Sequence, residues 1–205
     1  MGGRDVEADR VFQGSISAFY DQHLGPMIFA PYADDLASRL ADLRRGRILE
    51  TAAGTGVVTR ALVTALPESV LIEATDLNQP MIDYASGQLP SSRVTWGKAD
   101  AQALPFCNGE FDAVVCQFGV MFFPDKPKAF SEAYRVLKPG GRFLFNVGTA
   151  LKRMNLPTLS CSPWPPCSPT IRRCFWHARR TDITSLQLSK PSSEPSGLRR
   201  LQLKP

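Results

Sequence analysis

The architecture of this chain follows from twelve residues, Arg47-Ile48-Leu49-Glu50-Thr51-Ala52-Ala53-Gly54-Thr55-Gly56-Val57-Val58. A short apolar run ends in an acidic residue and is followed by small residues and two glycines. The pattern predicts a strand, a tight turn and a helix that begins at Val57. Glycine allows positive φ and close approach of a ligand, and the free N–H groups of a helix's first turn favour polar or anionic groups. Such a turn is typical of a site for a nucleotide-like cofactor.

The acidic residues near this turn indicate which cofactor it holds. A dinucleotide loop has the pattern G-x-G-x-x-G, but the third glycine position, counted from Gly54 and Gly56, is occupied by Thr59. Glu50 lies before the loop, where a carboxylate repels a pyrophosphate and suits a cationic amino group. Asp76 closes the next apolar run, at the distance where a carboxylate binds ribose hydroxyls in a doubly wound sheet. A bound amine and a bound ribose describe S-adenosylmethionine (SAM).

Apolar runs alternate with helical patterns from Arg47 onward, which predicts a parallel sheet with helices on both faces. The predicted strands are residues 47–50, 70–75, 93–97, 111–116 and 142–147, and the predicted helices between them are 57–66, 79–88 and 126–137. Pro139-Gly140-Gly141 is expected to end the last helix and to turn the chain into the fifth strand. Ligands of such sheets bind at the carboxyl ends of the strands. The polar candidates that lie there are Glu50, Asp76, Asp100 and Gln117.

Four separated motifs carry a family resemblance. They are Ile48-Leu49-Glu50 to Gly56, Asp76 with Met81, Gly97-Lys98-Ala99-Asp100-Ala101 followed by Leu104-Pro105-Phe106, and Phe111-Asp112-Ala113-Val114-Val115, which leads to residues 135–141. Through them, residues 10 to 147 resemble the class I SAM-dependent methyltransferases of type 11, related to the ubiquinone/menaquinone methyltransferases. The resemblance implies a Rossmann-like doubly wound sheet of seven strands, SAM as cofactor and methyl transfer as the activity.

The resemblance also implies roles for individual residues. Asp76 would hold the ribose hydroxyls, Asp100 and Ala101 would face the adenine amino edge, and Met81 would pack on the ring, although a core methionine is an equal alternative. The implied cofactor-binding residues are Glu50, Ala52, Gly54, Gly56, Asp76, Leu77, Met81, Asp100, Ala101 and Gln117. No general catalytic residue is expected, because methyl transfer mainly needs alignment of nucleophile, methyl and sulfur in a dry site.

The residues after the fourth predicted strand bear on the methyl acceptor. Residues 116–123 lack the Asn/Asp-Pro-Pro-Tyr-like loop of enzymes that methylate DNA bases or protein glutamine. They contain instead an apolar rim of Val120, Met121, Phe122 and Phe123. This rim suits a small or lipid-like acceptor, and packing inside the domain is the equal alternative.

The chain divides into three predicted parts: an N-terminal helical cap (1–44), the SAM-binding core (45–147) and a basic Pro/Ser/Arg-rich tail expected to be irregular (148–205). The cap has two helical segments, in which Tyr20 is either a cofactor contact or a core aromatic. Residues 1–147 hold 14 Lys and Arg against 17 Asp and Glu, whereas residues 148–205 hold 10 against 2. Without a long apolar run, a signal core or paired cysteine spacings, we expect a cytoplasmic protein with no membrane span, disulfide or metal site.

The tail departs from the resembled family directly after Val147. We interpret it as translated out of frame, since starting each codon at its third base allows residues 148–156 to be reread as W-D-R-A-E-E-N-E-L, with Glu forced at Met154-Asn155. The family's strands 6 and 7 would then be missing, which leaves an open sheet edge. Two alternatives to an active enzyme stay open: a truncated, inactive SAM-binding remnant and, less favoured, a basic-tailed nucleic-acid binder. No nucleic-acid partner is expected.

Overall fold

The computed structural model describes residues 29–147 and 184–190. Their strands are β1 (Gly46–Thr51), β2 (Val70–Asp76), β3 (Val94–Lys98), β4 (Phe111–Gln117), β5 (Leu137–Val147) and β6 (Thr184–Ser189). Their helices are α1 (Ala30–Ser38), α2 (Val57–Ala65), α3 (Gln79–Gln88) and α4 (Lys126–Val136), with a 3₁₀ turn at Val120–Phe122. None of the helices in this part of the chain is long and apolar enough to cross a bilayer.

The strands form one sheet in the order β3-β2-β1-β4-β5-β6. The first five strands are parallel, and β6 is antiparallel to β5. The strand order reverses between β1 and β4, so a crevice opens at the carboxyl ends of these two strands, where doubly wound sheets bind ligands. The predicted α/β doubly wound fold is confirmed.

All predicted strands and helices from residue 47 to residue 147 are present, and their ends agree within one residue except at β5. The sequence predicts β5 from residue 142, but it begins at Leu137. Leu137 already pairs with Phe111, and the register then shifts before Ala113 pairs with Arg142. The turn predicted at Pro139-Gly140-Gly141 is therefore an irregularity inside the strand, with Gly140 at φ +81°.

Of the two predicted N-terminal helical segments, the second is α1. Leu36 and Leu40 are fully buried, as their spacing predicts, and Leu43 packs against the same core. The first segment, with Tyr20, lies outside the described residues. α1 therefore covers one face of the sheet beside α2.

The two faces of the sheet carry separate cores because side chains alternate along a strand. The core beneath α1 and α2 includes Ile48, Ala74, Val115 and Leu144. The core on the other face, beneath α4, includes Leu49, Val114, Phe143 and Phe145. The first face is called the α1/α2 face below. On this face, polar side chains lie near the carboxyl ends of the strands.

Residues 184–189 differ from the expected irregular tail without outer strands. They pair with residues 142–147 as β6, and Leu188 packs against the core beneath α4. An unpaired sheet edge can accept an extended segment through backbone hydrogen bonds, and Thr184-Ser185-Leu186-Gln187-Leu188-Ser189 alternates polar and apolar residues as a strand requires. The rest of the tail lies outside the described residues, and its out-of-frame origin stays a prediction.

Lys190 ties the end of β6 to the body of the domain. Its ammonium group donates hydrogen bonds to the carbonyl oxygens of Tyr134 (3.1 Å) and Leu137 (2.7 Å) and lies 4.5 Å from the centre of the Tyr134 ring. Its backbone exchanges hydrogen bonds with Gly140 (2.9 Å) and Gly141 (2.8 Å). A residue of the tail thus satisfies the carbonyl oxygens of Tyr134, in the last turn of α4, and of Leu137, directly after the helix.

Replacing Lys190 by Met, which keeps the aliphatic stem, removes both side-chain hydrogen bonds. We expect the free energy of unfolding to fall by about 1–2 kcal/mol, since hydrogen bonds to charged groups are stronger than the average. Chemical denaturation measures the change, with the exposed Lys98→Met as the control. An unchanged Lys190→Met protein would show that the docking of β6 adds nothing to stability.

Candidate functional site

Four polar side chains lie on the α1/α2 face at the carboxyl ends of neighbouring strands. They are Asp76 on β2, Glu50 on β1, Gln117 on β4 and Asn146 on β5. Each follows, by two residues, an apolar residue of the core beneath α1 and α2. Because side chains alternate with a period of two, all four project from the same face. The sequence predicts three of them. Asn146 was missed, although it interrupts the apolar run Phe143-Leu144-Phe145 before Val147.

Glu50 is enclosed beneath the turn between β1 and α2. Its side chain is 1% exposed, and the Thr59 hydroxyl donates a 2.6 Å hydrogen bond to its carboxyl group. The pKa of Glu50 is raised to about 8, chiefly by burial; the Thr59 hydrogen bond opposes the rise, and the nearby Asp76 charge adds to it. Glu50 is therefore protonated at neutral pH in this structure. A cation bound beside it would favour the ionised form.

The glycine turn uses the left-handed region of backbone space at three alternate residues. Ala52, Gly54 and Gly56 have φ of +54°, +56° and +78°. A Cβ atom on Gly56 would lie 2.9 Å from Cη2 of Trp96, so close packing requires glycine there. A Cβ on Gly54 would have no atom within 4 Å. Among residues 29–147 and 184–190, open space therefore lies above Gly54, as a turn that holds a ligand requires.

Asp76 holds the glycine turn from the neighbouring strand. Its carboxylate accepts hydrogen bonds of 2.8 Å from the Gly54 N–H and of 2.8 Å from the Asn78 N–H. Burial raises the pKa of Asp76, and hydrogen bonds from the backbone N–H groups of Asn78, Gly54 and Leu77 oppose that rise. A carboxylate has about four acceptor positions, so one remains beside these three backbone hydrogen bonds. The group therefore keeps capacity for a ribose hydroxyl while it still holds the turn.

The residues implied for adenine lie around the ends of β2 and β3. Asp100 accepts a 2.8 Å hydrogen bond from the Gln102 N–H, which folds the chain after β3, and Ala101 lies within this turn. The Ala99 N–H donates to the Asp76 carbonyl at 3.0 Å and joins the two strand ends. Leu77 is 57% exposed, whereas Met81 is 9% exposed. Leu77 is thus available to an apolar ring face, and the role of Met81 stays a prediction.

The apolar rim after β4 is divided between core and surface. Val120 is buried in the core beneath α4, where Met121 and Phe123 also pack, whereas Phe122 is 70% exposed. A Cβ on Gly119 would lie 2.5 Å from that of Ala52, so the loop after β4 packs directly on the glycine turn.

The residues present fit SAM. The acceptor groups of Glu50 and Asp76 match an amino group and a ribose, and the space above Gly54 admits a ligand to the backbone. Among the described residues there is no cluster of three His, Cys, Asp or Glu side chains suited to a metal ion.

Comparisons with known proteins agree with this geometry. Residues 49–145 match the family model described as a methyltransferase domain. The chain is 38% identical over 101 residues to the ubiquinone/menaquinone biosynthesis C-methyltransferase UbiE of Geobacter sulfurreducens, which covers 47% of this chain and 40% of that protein. It is 33% identical over 150 residues to the same enzyme of Cronobacter sakazakii. That alignment covers 69% of this chain and 60% of the relative. The chain thus spans 40% and 60% of these two relatives.

A solved structure from Methanococcus maripaludis, provisionally assigned as an S-adenosyl-L-methionine-dependent methyltransferase, has a TM-score of 0.67 at 19% identity. The alignment covers 95% of this chain and 99% of the Methanococcus maripaludis chain. At that identity the likeness shows the fold.

The strained backbone at Ala52 gives a direct test of the turn. Ala52→Gly should raise the free energy of unfolding by about 0.5–1 kcal/mol, because relief of a left-handed alanine outweighs the greater freedom of glycine in the unfolded chain. Ala53→Gly is the matched control and should lower it by about 1 kcal/mol, since Ala53 has no positive φ and gains no relief. Chemical denaturation compares the two. A loss of stability in Ala52→Gly would contradict the strained turn.

Burial of Glu50 makes the stability of the cofactor-free protein depend on pH. Its folded pKa of about 8 exceeds the ordinary 4.5, so its favourable contribution is complete below pH 4.5 and is lost as the pH rises to about 8. In this range the folded state holds a proton that the unfolded state lacks, and stability falls by about 1 kcal/mol per pH unit.

Glu50→Gln removes this ionisation and keeps an oxygen that accepts from Thr59. Relative to wild type, the variant should therefore gain stability steadily between pH 5 and pH 8 in denaturation experiments. The exposed Glu68→Gln is the control and should follow the wild-type curve. Parallel curves for Glu50→Gln and wild type would contradict the raised pKa.

Proposed function

We propose that this chain is a class I SAM-dependent methyltransferase, as the match of residues 49–145 to a methyltransferase domain supports, and that it transfers a methyl group from SAM to a small-molecule or lipid-like acceptor. The proposal is carried by the hydrogen bond from the Gly54 N–H to the Asp76 carboxylate, which lies beside open space among the described residues. This contact supplies a ribose-binding carboxylate and an accessible backbone at the switch in strand order, where such sheets bind ligands.

The strand order supports an orientation of the cofactor along the carboxyl ends of the strands. Asp100, Asp76, Glu50 and Gln117 lie on or directly after β3, β2, β1 and β4, which are consecutive neighbours in the sheet. With strands about 4.8 Å apart, this row is about 14 Å long, the scale of a nucleoside with an amino-acid arm. We propose that Asp100, Ala101, Leu77 and Met81 bind the adenine and that Asp76 binds the ribose. The remaining predicted residues, Glu50, Ala52, Gly54, Gly56 and Gln117, would lie around the methionine arm.

SAM, when bound, supplies an electrophilic methyl group, and its sulfur keeps the bonding electron pair when the acceptor's nucleophilic atom takes the methyl. The chain's own residues bind and orient. Asp76 and the glycine turn hold the nucleoside in place, and the carboxyl group of Glu50 accepts a hydrogen bond from the amino group of the methionine arm. Correct orientation alone can contribute about 7–11 kcal/mol to such a reaction. An acceptor atom that loses no proton needs no base.

The exposed apolar side chains support the acceptor class. Phe122 is 70% exposed beside the carboxyl end of β4. By their names, the curated relatives act in ubiquinone/menaquinone biosynthesis, and an acceptor with an apolar body can pack on such a surface.

Isothermal titration with S-adenosylhomocysteine, the product form of the cofactor, tests the proposal. Wild type should bind at micromolar concentration, and Asp76→Ala should bind at least tenfold more weakly, since it loses the carboxylate proposed for the ribose. Asp83→Ala, which removes an exposed carboxylate from α3, is the matched control and should bind as wild type does. Thermal unfolding of each variant shows whether it is folded.

Each result has a separate meaning. Absence of binding by folded wild type would overturn the proposal. Tight binding without turnover on any acceptor in a screen would favour the inactive SAM-binding remnant.

A further inference from the structure

Two buried amide oxygens at the site have no hydrogen-bond donor. Within residues 29–147 and 184–190, the buried side-chain polar atoms without a partner are Oε1 of Gln117 and Oδ1 of Asn146. The two residues pair in register on β4 and β5 and therefore lie side by side on the α1/α2 face. Buried acceptors are nearly always paired in folded proteins. Two neighbouring exceptions beside a ligand crevice indicate that a ligand completes them.

The orientation of both amides is set by α1. Nε2 of Gln117 donates to the carbonyl oxygen of Phe29 at 3.1 Å, and Nδ2 of Asn146 donates to that of Tyr32 at 3.4 Å. If either amide were turned over, its oxygen would face the carbonyl oxygen of Phe29 or Tyr32, and neither atom could donate a hydrogen bond. Both amide oxygens are therefore turned away from these carbonyls and can only accept hydrogen bonds.

The position of Asn146 along the sheet separates it from the nucleoside. The cofactor candidates end on β4, whereas Asn146 lies one strand further, on β5. Two strand spacings place it about 10 Å from Glu50 along the sheet. An aromatic cluster adjoins it, because the rings of Phe29 and Tyr32 each lie 5.6 Å from that of Phe118. Beyond the methionine arm, this is the place for the methyl acceptor.

Both oxygens are buried in this structure, so a ligand reaches them only when the residues that cover them move. The amide hydrogen bond from Asn146 to the Tyr32 carbonyl is long, at 3.4 Å. Closure of a short segment over a bound substrate is a common way to exclude water.

We propose that Asn146 accepts a hydrogen bond from a hydroxyl or amino group of the methyl acceptor, and that Gln117, at the boundary with the methionine arm, accepts a second one, so that the acceptor carries such a donor near its reacting atom. The inference rests on the proposed function and names the chemistry of its acceptor. An amide oxygen is too weak a base to take up a proton. The pair therefore binds and orients the acceptor.

The test uses the full chain saturated with S-adenosylhomocysteine and two probes of equal shape, phenol and toluene, which differ by one hydroxyl. Nuclear magnetic resonance titration measures the affinity of each probe. Wild type should bind phenol about tenfold more tightly than toluene, which corresponds to one net hydrogen bond. Asn146→Leu should abolish this preference without weakening S-adenosylhomocysteine binding. Gln88→Leu, the same kind of change at an exposed amide, should keep it.

Thermal unfolding shows whether Asn146→Leu is folded. The substitution removes the unpaired Oδ1 and also the 3.4 Å hydrogen bond from Nδ2 to the Tyr32 carbonyl, so the preference between the two probes, and not the unfolding midpoint, decides the inference. Equal binding of the two probes by wild type, or a preference kept in Asn146→Leu, would overturn it while the proposed function stands. Absence of S-adenosylhomocysteine binding by folded wild type would overturn both.

Discussion

The hydrogen bond from the Gly54 N–H to the Asp76 carboxylate is the contact on which the site depends. It joins the turn after β1 to the end of β2 at 2.8 Å. The turn can place that N–H there only because residues 52, 54 and 56 all take positive φ. Close packing then preserves the conformation, since Trp96 lies against Gly56 and Gly119 against Ala52. Backbone strain and dense packing thus hold the turn open toward a ligand.

The polar row on the α1/α2 face has a cost in stability. Glu50 is enclosed where its ionised form is disfavoured, and two amide oxygens lack donors. Groups of this kind destabilise a folded protein unless a partner satisfies them. A ligand that carries a cation and hydrogen-bond donors would offset the cost. Strain and unsatisfied groups gathered at one edge of a well-packed sheet are expected of a binding site.

The regular part of the fold was predictable because its signals are local. Apolar runs of strand length, helical spacing and the prolines and glycines between them determine where elements begin and end. The glycine turn and Asp76 were predictable for the same reason, as motif residues at strand ends. The state of Glu50 was not, because its raised pKa comes from enclosure by residues distant in sequence. Asn146 was missed because its meaning depends on register, which places it beside Gln117 only when β4 and β5 pair.

The strand from the tail shows how little sequence a sheet edge demands. β6 pairs with β5 through backbone groups, and these bonds do not depend on side-chain identity. Leu188 packs on the core beneath α4, and Lys190, two residues further on, binds carbonyl oxygens at the end of α4. The candidate cofactor residues all precede residue 118, so the outer strand does not build their positions. Its effect on them passes through β5, whose Asn146 pairs with Ser185 on one side and Gln117 on the other. The edge strand therefore adjoins the proposed acceptor side of the site, whereas the proposed cofactor side rests on β1, β2, β3 and β4.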